Sequence, residues 1–169
     1  MLADHQNQSV KQEVRQDGRV QTISGTGEVT LEDLVLLSSE LNKLEVVSIG
    51  QPVILEVKCY AKESVESLTV GFMVKDRTGQ PVFGTNTHHL QESVDNLEAD
   101  ESVTLRFHFN ANFGVGTYSI AIALHSGSTH LHKNYEWRDL AIVFNVININ
   151  KPESVGSIWL PIDKVEAIR

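Results

Sequence analysis

The sequence is short of the residues that staple a chain or hold a metal cluster. A single cysteine, Cys59, excludes an intrachain disulfide framework and a cysteine-rich zinc site and fits a reducing compartment. Cations are scarce too: 14 Lys plus Arg against 22 Asp plus Glu give a net charge of −8 with neutral His. That balance argues against a nucleic-acid partner and against an anionic membrane surface, since both need clustered positive charge. Long apolar runs are missing. The longest, Ile120 to Leu124 and Leu140 to Phe144, stop at His125 and Asn145, far short of the roughly 20 residues a spanning helix needs. The opening Met-Leu-Ala-Asp-His-Gln-Asn-Gln has neither the basic nor the apolar region of a secretory signal. There is no phosphate-binding glycine loop, no His-Glu-x-x-His and no Gly-x-Ser-x-Gly, so neither catalysis nor a cofactor is expected.

What is present suffices for one domain with a real core: 169 residues, 41% apolar and 21% charged. Residues 1–26 are polar and lack a sustained period, and they read as a linker or flexible arm ending at Gly25-Thr26-Gly27. Residues 27–169 read as the folded domain. From Glu28 onward the apolar pattern has period two. Val53, Leu55, Val57 and Cys59 alternate with polar neighbours, as do Leu68, Val70, Phe72 and Val74. The pattern recurs at Val103, Leu105, Phe107 and Phe109, at Tyr118, Ile120, Ile122 and Leu124, and at Leu140, Ile142, Phe144 and Val146. Shorter strands are expected at 28–38, 44–48, 81–87 and 157–162, and a short helical turn within 91–100. Asp76-Arg77-Thr78-Gly79 has hairpin-turn chemistry. The pattern predicts an all-β, immunoglobulin-like antiparallel β-sandwich of about 8–9 strands. Gly116-Thr117-Tyr118 resembles the tyrosine corner of such sandwiches.

Candidate chemistry is sparse. His125, His130 and His132 are close in sequence and His88-His89 are adjacent. They are ligand types at metal-compatible spacing, but they read equally as polar loop residues, and no metal is assigned. Glu136 and Asp139 have the residue types of a glycosidase pair, or of ordinary loop carboxylates. A binding surface is better supported. On the polar faces of the strands, Gly71, Ala121 and Ala123 would leave a depression, and Tyr60, Met73, Arg106, His108 and His125 would rim it if these strands are neighbours. Sugars take planar hydrogen bonds from such groups and stack their C–H faces on aromatic rings; an ordinary solvated sheet face has the same pattern. Lys133 to Asp139, read as a loop, presents Tyr135 and Trp137 as stacking platforms. Trp159 lies in a terminal segment behind the hinge-like Asn148 to Glu153, and a strand so placed pairs within its own chain or with a neighbour's sheet edge.

The stretch Val70-Gly-Phe-Met-Val-Lys-Asp-Arg-Thr-Gly-Gln-Pro-Val-Phe-Gly-Thr-Asn-Thr87, followed by Gly116-Thr117-Tyr118-Ser119-Ile120, Ala123-Leu124 and Trp137 with Asp139, resembles the C-terminal domain of the ATPase subunit of O-antigen polysaccharide ABC transporters, the Wzt type. The resemblance spans about residues 27–163. It implies a non-catalytic carbohydrate-binding module that recognises O-polysaccharide before export, in the cytoplasm at the inner face of the bacterial inner membrane. The ATPase domain to which such a module is fused has no counterpart in these residues. Its partners would be the glycan, the ATPase and membrane subunits of the transporter, and a second copy joined by exchange of a C-terminal strand at about 155–163. A structural dimerisation module without a glycan site of its own is the alternative. Thr85, Asn86 and Thr87 are expected to satisfy backbone groups at a sharp strand exit.

Overall fold

The computed structural model describes residues 8–127 and 133–169. Among these residues the chain has eleven strands and no helix: β1 (Ser9–Val14), β2 (Val20–Gly25), β3 (Val29–Ser38), β4 (Val46–Ser48), β5 (Pro52–Ala61), β6 (Val65–Asp76), β7 (Pro81–Asn86), β8 (Val94–Leu97), β9 (Ser102–Asn110), β10 (Gly116–His125) and β11 (Asn134–Ile147). They form two sheets. The larger has the order β1-β2-β11-β10-β6-β7, with β4 parallel to the end of β11 and β8 antiparallel to β6; the smaller is β3-β5-β9. The protein is thus an all-β, immunoglobulin-like sandwich, antiparallel apart from the β4–β11 pair.

The core is the set that period two selects. Val53, Leu55, Val57 and Cys59 of β5 face Leu68, Val70, Phe72 and Val74 of β6 and Tyr118, Ile120, Ile122 and Leu124 of β10, and none of the twelve is more than 6% exposed. Burying a side chain of this kind contributes about 1.5–3 kcal/mol, so these three strands hold the sheets together. The tyrosine corner is present: the Tyr118 hydroxyl donates to the Gly114 carbonyl at 2.8 Å and lies 3.3 Å from that of Ser157. The turn after β6 is closed by the Asp76 carboxylate, which accepts from the Thr78 amide (2.8 Å), the Thr78 hydroxyl (2.7 Å) and the Gln80 amide (3.0 Å), with Gly79 at φ +84°.

Four segments differ from the sequence expectations. Residues 9–25, read as part of a loose arm, form the β1–β2 hairpin, which extends the larger sheet beyond β11. Residues 94–97, placed in a helical turn, are strand β8. Residues 134–139, read as a loop, open β11; Glu136 points inward with 5% exposure, accepting from the Leu31 amide (3.3 Å) and paired with Arg138 at 2.8 Å, so an ion pair stands where alternation demands apolar residues. The terminal segment at 157–162 is not a strand. It makes a single bridge, Phe113 to Ile158, flanked by bonds from the Gly114 amide to the Ser157 carbonyl (3.0 Å) and from the Trp159 amide to the Asn112 carbonyl (2.9 Å). A Cβ on Gly114 would sit 1.8 Å from the Gly156 carbonyl oxygen, so only glycine admits this docking.

Candidate functional site

Residues paired across a sheet share a face. On the outer side of the larger sheet one such row runs Val10–Ser24–Trp137–Ala123–Gly71–Asn86, through β1, β2, β11, β10, β6 and β7. Trp137 is the one aromatic in the row, and beside it two neighbouring strands contribute almost no side chain. The floor is tight: a Cβ on Gly71 would meet Asn86 Cβ at 3.2 Å and Ala123 Cβ at 3.8 Å. Met73, paired with Ala121, stands two residues to one side of this floor, and His125, paired with Thr69, two residues to the other. The two flanking rows are thus about 13 Å apart at the rise of an antiparallel strand. His125 Nδ1 lies 2.8 Å from the Ser126 carbonyl oxygen.

The hollow is smaller than three small residues suggest. Lys75 of β6 reaches across β10 to Asp139 of β11 at 3.0 Å, and its ammonium lies 5.7 Å from the centre of the Trp137 ring. To do so it passes over the outer side of β10, where Ser119 is 5% and Ala121 1% exposed. Gly71 is itself buried, so the open part of the floor narrows to Ala123. Sequence reasoning missed Lys75 and Asp139 as a pair. Lys75 falls on the polar face of its strand, but nothing in the pattern links it to a carboxylate 64 residues away.

The other residues expected at this surface lie elsewhere. Tyr60, Arg106 and His108 are on the outer face of the smaller sheet. There the Tyr60 hydroxyl donates to Asp100 at 2.5 Å, a bond that pushes the phenol's pKa up, and Arg106 Nε meets Glu56 at 2.6 Å. His108 is exposed opposite Ile54. Tyr135 is 5% exposed; its hydroxyl donates to the Ser67 carbonyl at 3.1 Å, and burial pushes its pKa up. The expected set therefore divides into three residues on one face (Met73, His125, Trp137), three on the opposite face and one in the interior, because β5 and β9 belong to a different sheet from β6 and β10. Glu136 and Asp139 do not converge: the first faces the interior with Arg138, the second the outer surface with Lys75. Among the described residues no three potential ligands cluster around a metal position; His130 and His132 lie outside the described residues.

Within the Phe-Gly-Thr-Asn-Thr segment, Thr87 is 2% exposed and accepts the Val70 amide on its hydroxyl at 3.0 Å, and Asn86 accepts the His89 amide at 2.8 Å. Both side chains serve the backbone. A separate apolar cleft of about 730 Å³ opens between the free edges of the two sheets, β7 and β9, lined by Phe72, Phe83, Leu105, Phe107, Phe109 and Trp159.

A family model described as the Wzt C-terminal domain matches residues 20–160. The chain belongs to that family. A crystal structure of the C-terminal domain of Wzt has the same fold, with a TM-score of 0.79 at 15% identity over 93% of each chain. The chain is also similar to part of a β-glucosidase from Listeria innocua (TM-score 0.41, 14% identity, 76% of this chain and 16% of that one) and part of a β-glucuronidase from Parabacteroides merdae (TM-score 0.35, 18% identity, 70% and 13%); at those scores neither likeness bears on function. No curated protein sequence matches the chain.

Proposed function

We propose that this Wzt C-terminal domain binds O-polysaccharide on the outer face of its larger sheet and so selects the substrate of an ABC transporter. Membership in the family supports a role in substrate recognition by an O-antigen transporter. The observation that carries the location is the cross-strand row in which Trp137 borders a floor of Ala123 and Gly71, flanked by Met73 and His125. An aromatic ring beside such a floor offers a stacking surface for the C–H face of a pyranose, with hydrogen-bonding groups around it. The domain acts here without catalysis. Affinity per site is weak, because hydrogen bonds to sugar hydroxyls replace bonds to water. On this reading the domain works at the cytoplasmic face of the inner membrane, with the ATPase and membrane subunits as partners; among the described residues no helix is long and apolar enough to cross a membrane.

Isothermal titration with O-polysaccharide tests the location. Trp137→Ala should weaken binding about tenfold or more, the loss of one stacking contact, and Arg106→Ala on the opposite face should not. The reverse result transfers the site to the smaller sheet.

A dimer joined through the C-terminal segment is the second proposal, favoured by the apolar cleft between β7 and β9. Beyond Trp159 the chain exposes Leu160 (69%), Ile162 (73%), Val165 (87%) and Ile168 (91%), an apolar series without cover. The tail of a second copy would cover it by lying along the open edges. Removal of residues 160–169 should then convert a dimer to a monomer in light scattering; a dimer that persists refutes the exchange. Glycan binding by that monomer would separate recognition from dimerisation, and two sites held together raise avidity.

A further inference from the structure

Strand β11 is irregular beside the Trp137 platform, and the groups that hold the irregularity come from the start of the chain. β10 and β11 are in register up to Ile122–Arg138 and again from Ile120–Ile142, so Ala121 alone stands opposite Asp139, Leu140 and Ala141. A bulge of this size takes main-chain carbonyls out of the ladder. Leu140 sits at φ +46°, a region that non-glycine residues avoid.

On its other edge β11 follows β2 only through Trp137–Ser24 and Arg138–Ile23. Past that point side chains replace the ladder. Gln21 Nε2 donates to the Asp139 carbonyl at 2.9 Å and to the Leu140 carbonyl at 3.1 Å. Arg15, in the turn of the hairpin, donates through Nη1 to the Leu140 carbonyl and, at 3.2 Å, to that of Ala141. Gln21 is 8% exposed, so water is poorly placed to substitute for it. Every carbonyl of the bulge thus has a donor, and each donor comes from residues 15–21.

We infer that Gln21 and Arg15 are positioning residues for the saccharide platform: they hold the main chain of the bulge that carries Asp139, and through the Asp139–Lys75 pair they fix the surroundings of the Trp137 ring. This rests on the glycan reading of that face. The bulge is the point at which β11 can change register. If the carbonyls of 139–141 lose their donors, the strained Leu140 conformation has no compensation and the backbone of 139–141 resettles; Asp139 keeps the outer face it shares with Trp137, but its carboxylate is no longer held at a fixed place beside Lys75. The ammonium then loses its fixed partner and its seat near the indole. The β1–β2 hairpin, remote in sequence from the motif-bearing strands, is in this way part of the recognition surface.

Two variants test the inference. Gln21→Glu keeps the side chain's length and removes the donor; Gln21→Met keeps the length with no polar group. Gln12→Glu, exposed on the same hairpin, is the control. The first readout needs no ligand: the indole N–H resonance of Trp137 in a two-dimensional NMR spectrum, with Trp159 as internal reference. Both Gln21 variants should move or broaden the Trp137 signal and leave Trp159 in place, and Gln12→Glu should move neither. An unmoved Trp137 in both variants overturns the inference. The second readout is titration with O-polysaccharide, in which the Gln21 variants should bind about tenfold more weakly, as when the Trp137 stacking contact is lost. A displaced indole with wild-type affinity, in a protein whose binding Trp137→Ala abolishes, also overturns it. Should the wild type bind no polysaccharide while the indole still moves, the glycan reading fails and the hold of Gln21 on the platform stands.

Discussion

Thr87→Val separates a structural role of the Phe-Gly-Thr-Asn-Thr segment from a sugar-binding one. Thr87 continues β7 past its last paired residue: its amide donates to the Val70 carbonyl at 2.9 Å, and its hydroxyl accepts the Val70 amide at 3.0 Å. Thr87 is 2% and Val70 0% exposed. Valine preserves the shape and exchanges the hydroxyl for a methyl, so little cavity forms. The Val70 amide is left without an acceptor in a place water does not reach, which costs about 1–3 kcal/mol. The added methyl gives back a fraction, for a net destabilisation of about 1–2 kcal/mol. In a domain of this length that lowers Tm by about 2–8 °C. Urea denaturation with an unchanged slope measures the free energy, and hydrogen exchange at the Val70 amide reports the bond itself. Protection should fall in Thr87→Val and be retained in Thr87→Ser, which still carries the acceptor. O-polysaccharide affinity of the folded variant should match wild type. Wild-type stability together with a tenfold loss of affinity would refute the reasoning and make Thr87 a sugar contact.

Three further outcomes follow from buried groups. Tyr118→Phe should cost about 1 kcal/mol by removing the bond to Gly114 and should speed proteolysis of the segment at Ser157; equal cleavage of both proteins would show that the corner does not hold the tail. Cys59, fully buried, has its thiol pushed up to about 12, by burial first and then by the charges of Glu136 and Glu32. It should react with iodoacetamide only after unfolding, and rapid modification of the native protein would contradict the packing. For Glu28, burial pushes the pKa up, but hydrogen bonds from Lys133 and Thr26 outweigh it and hold the carboxyl below its ordinary value. A lowered folded pKa stabilises fully above the unfolded value, and the effect disappears as pH falls through the folded one. The stability gap between wild type and Lys133→Met should therefore be widest at neutral pH and narrow on acidification; a gap independent of pH would exclude this pair as its source.

The sandwich was legible because β5, β6 and β10 carry unbroken alternation, and each buries its apolar face. Legibility failed where burial is not apolar or where there is no burial. All six residues of β1 are exposed, so no period marks it as a strand. The opening of β11 places the Glu136–Arg138 ion pair inward, which reads as a polar loop until the paired charges are seen. For the candidate site, alternation set Met73 and His125 on faces away from the core, whereas Trp137 was singled out only as a member of a loop. It could not tell which strands are neighbours, and it therefore merged the outer faces of two sheets into one surface with Tyr60, Arg106 and His108. Lys75 with Asp139, and Gln21 with the bulge, depend on pairings between distant strands that no local pattern encodes.

The junction at Gly114 has a practical consequence. The tail is fastened by main-chain bonds lying over a bare glycine and by the Trp159 ring packed against the core, and the main-chain part of this joint is intolerant of bulk beneath it. One methyl group at position 114 acts as a wedge: it detaches the C-terminal segment while leaving every residue of that segment native. One added methyl group in the body of the sandwich should thus free the end of the chain, and in the dimer proposed above that freed end is what a neighbour would take up.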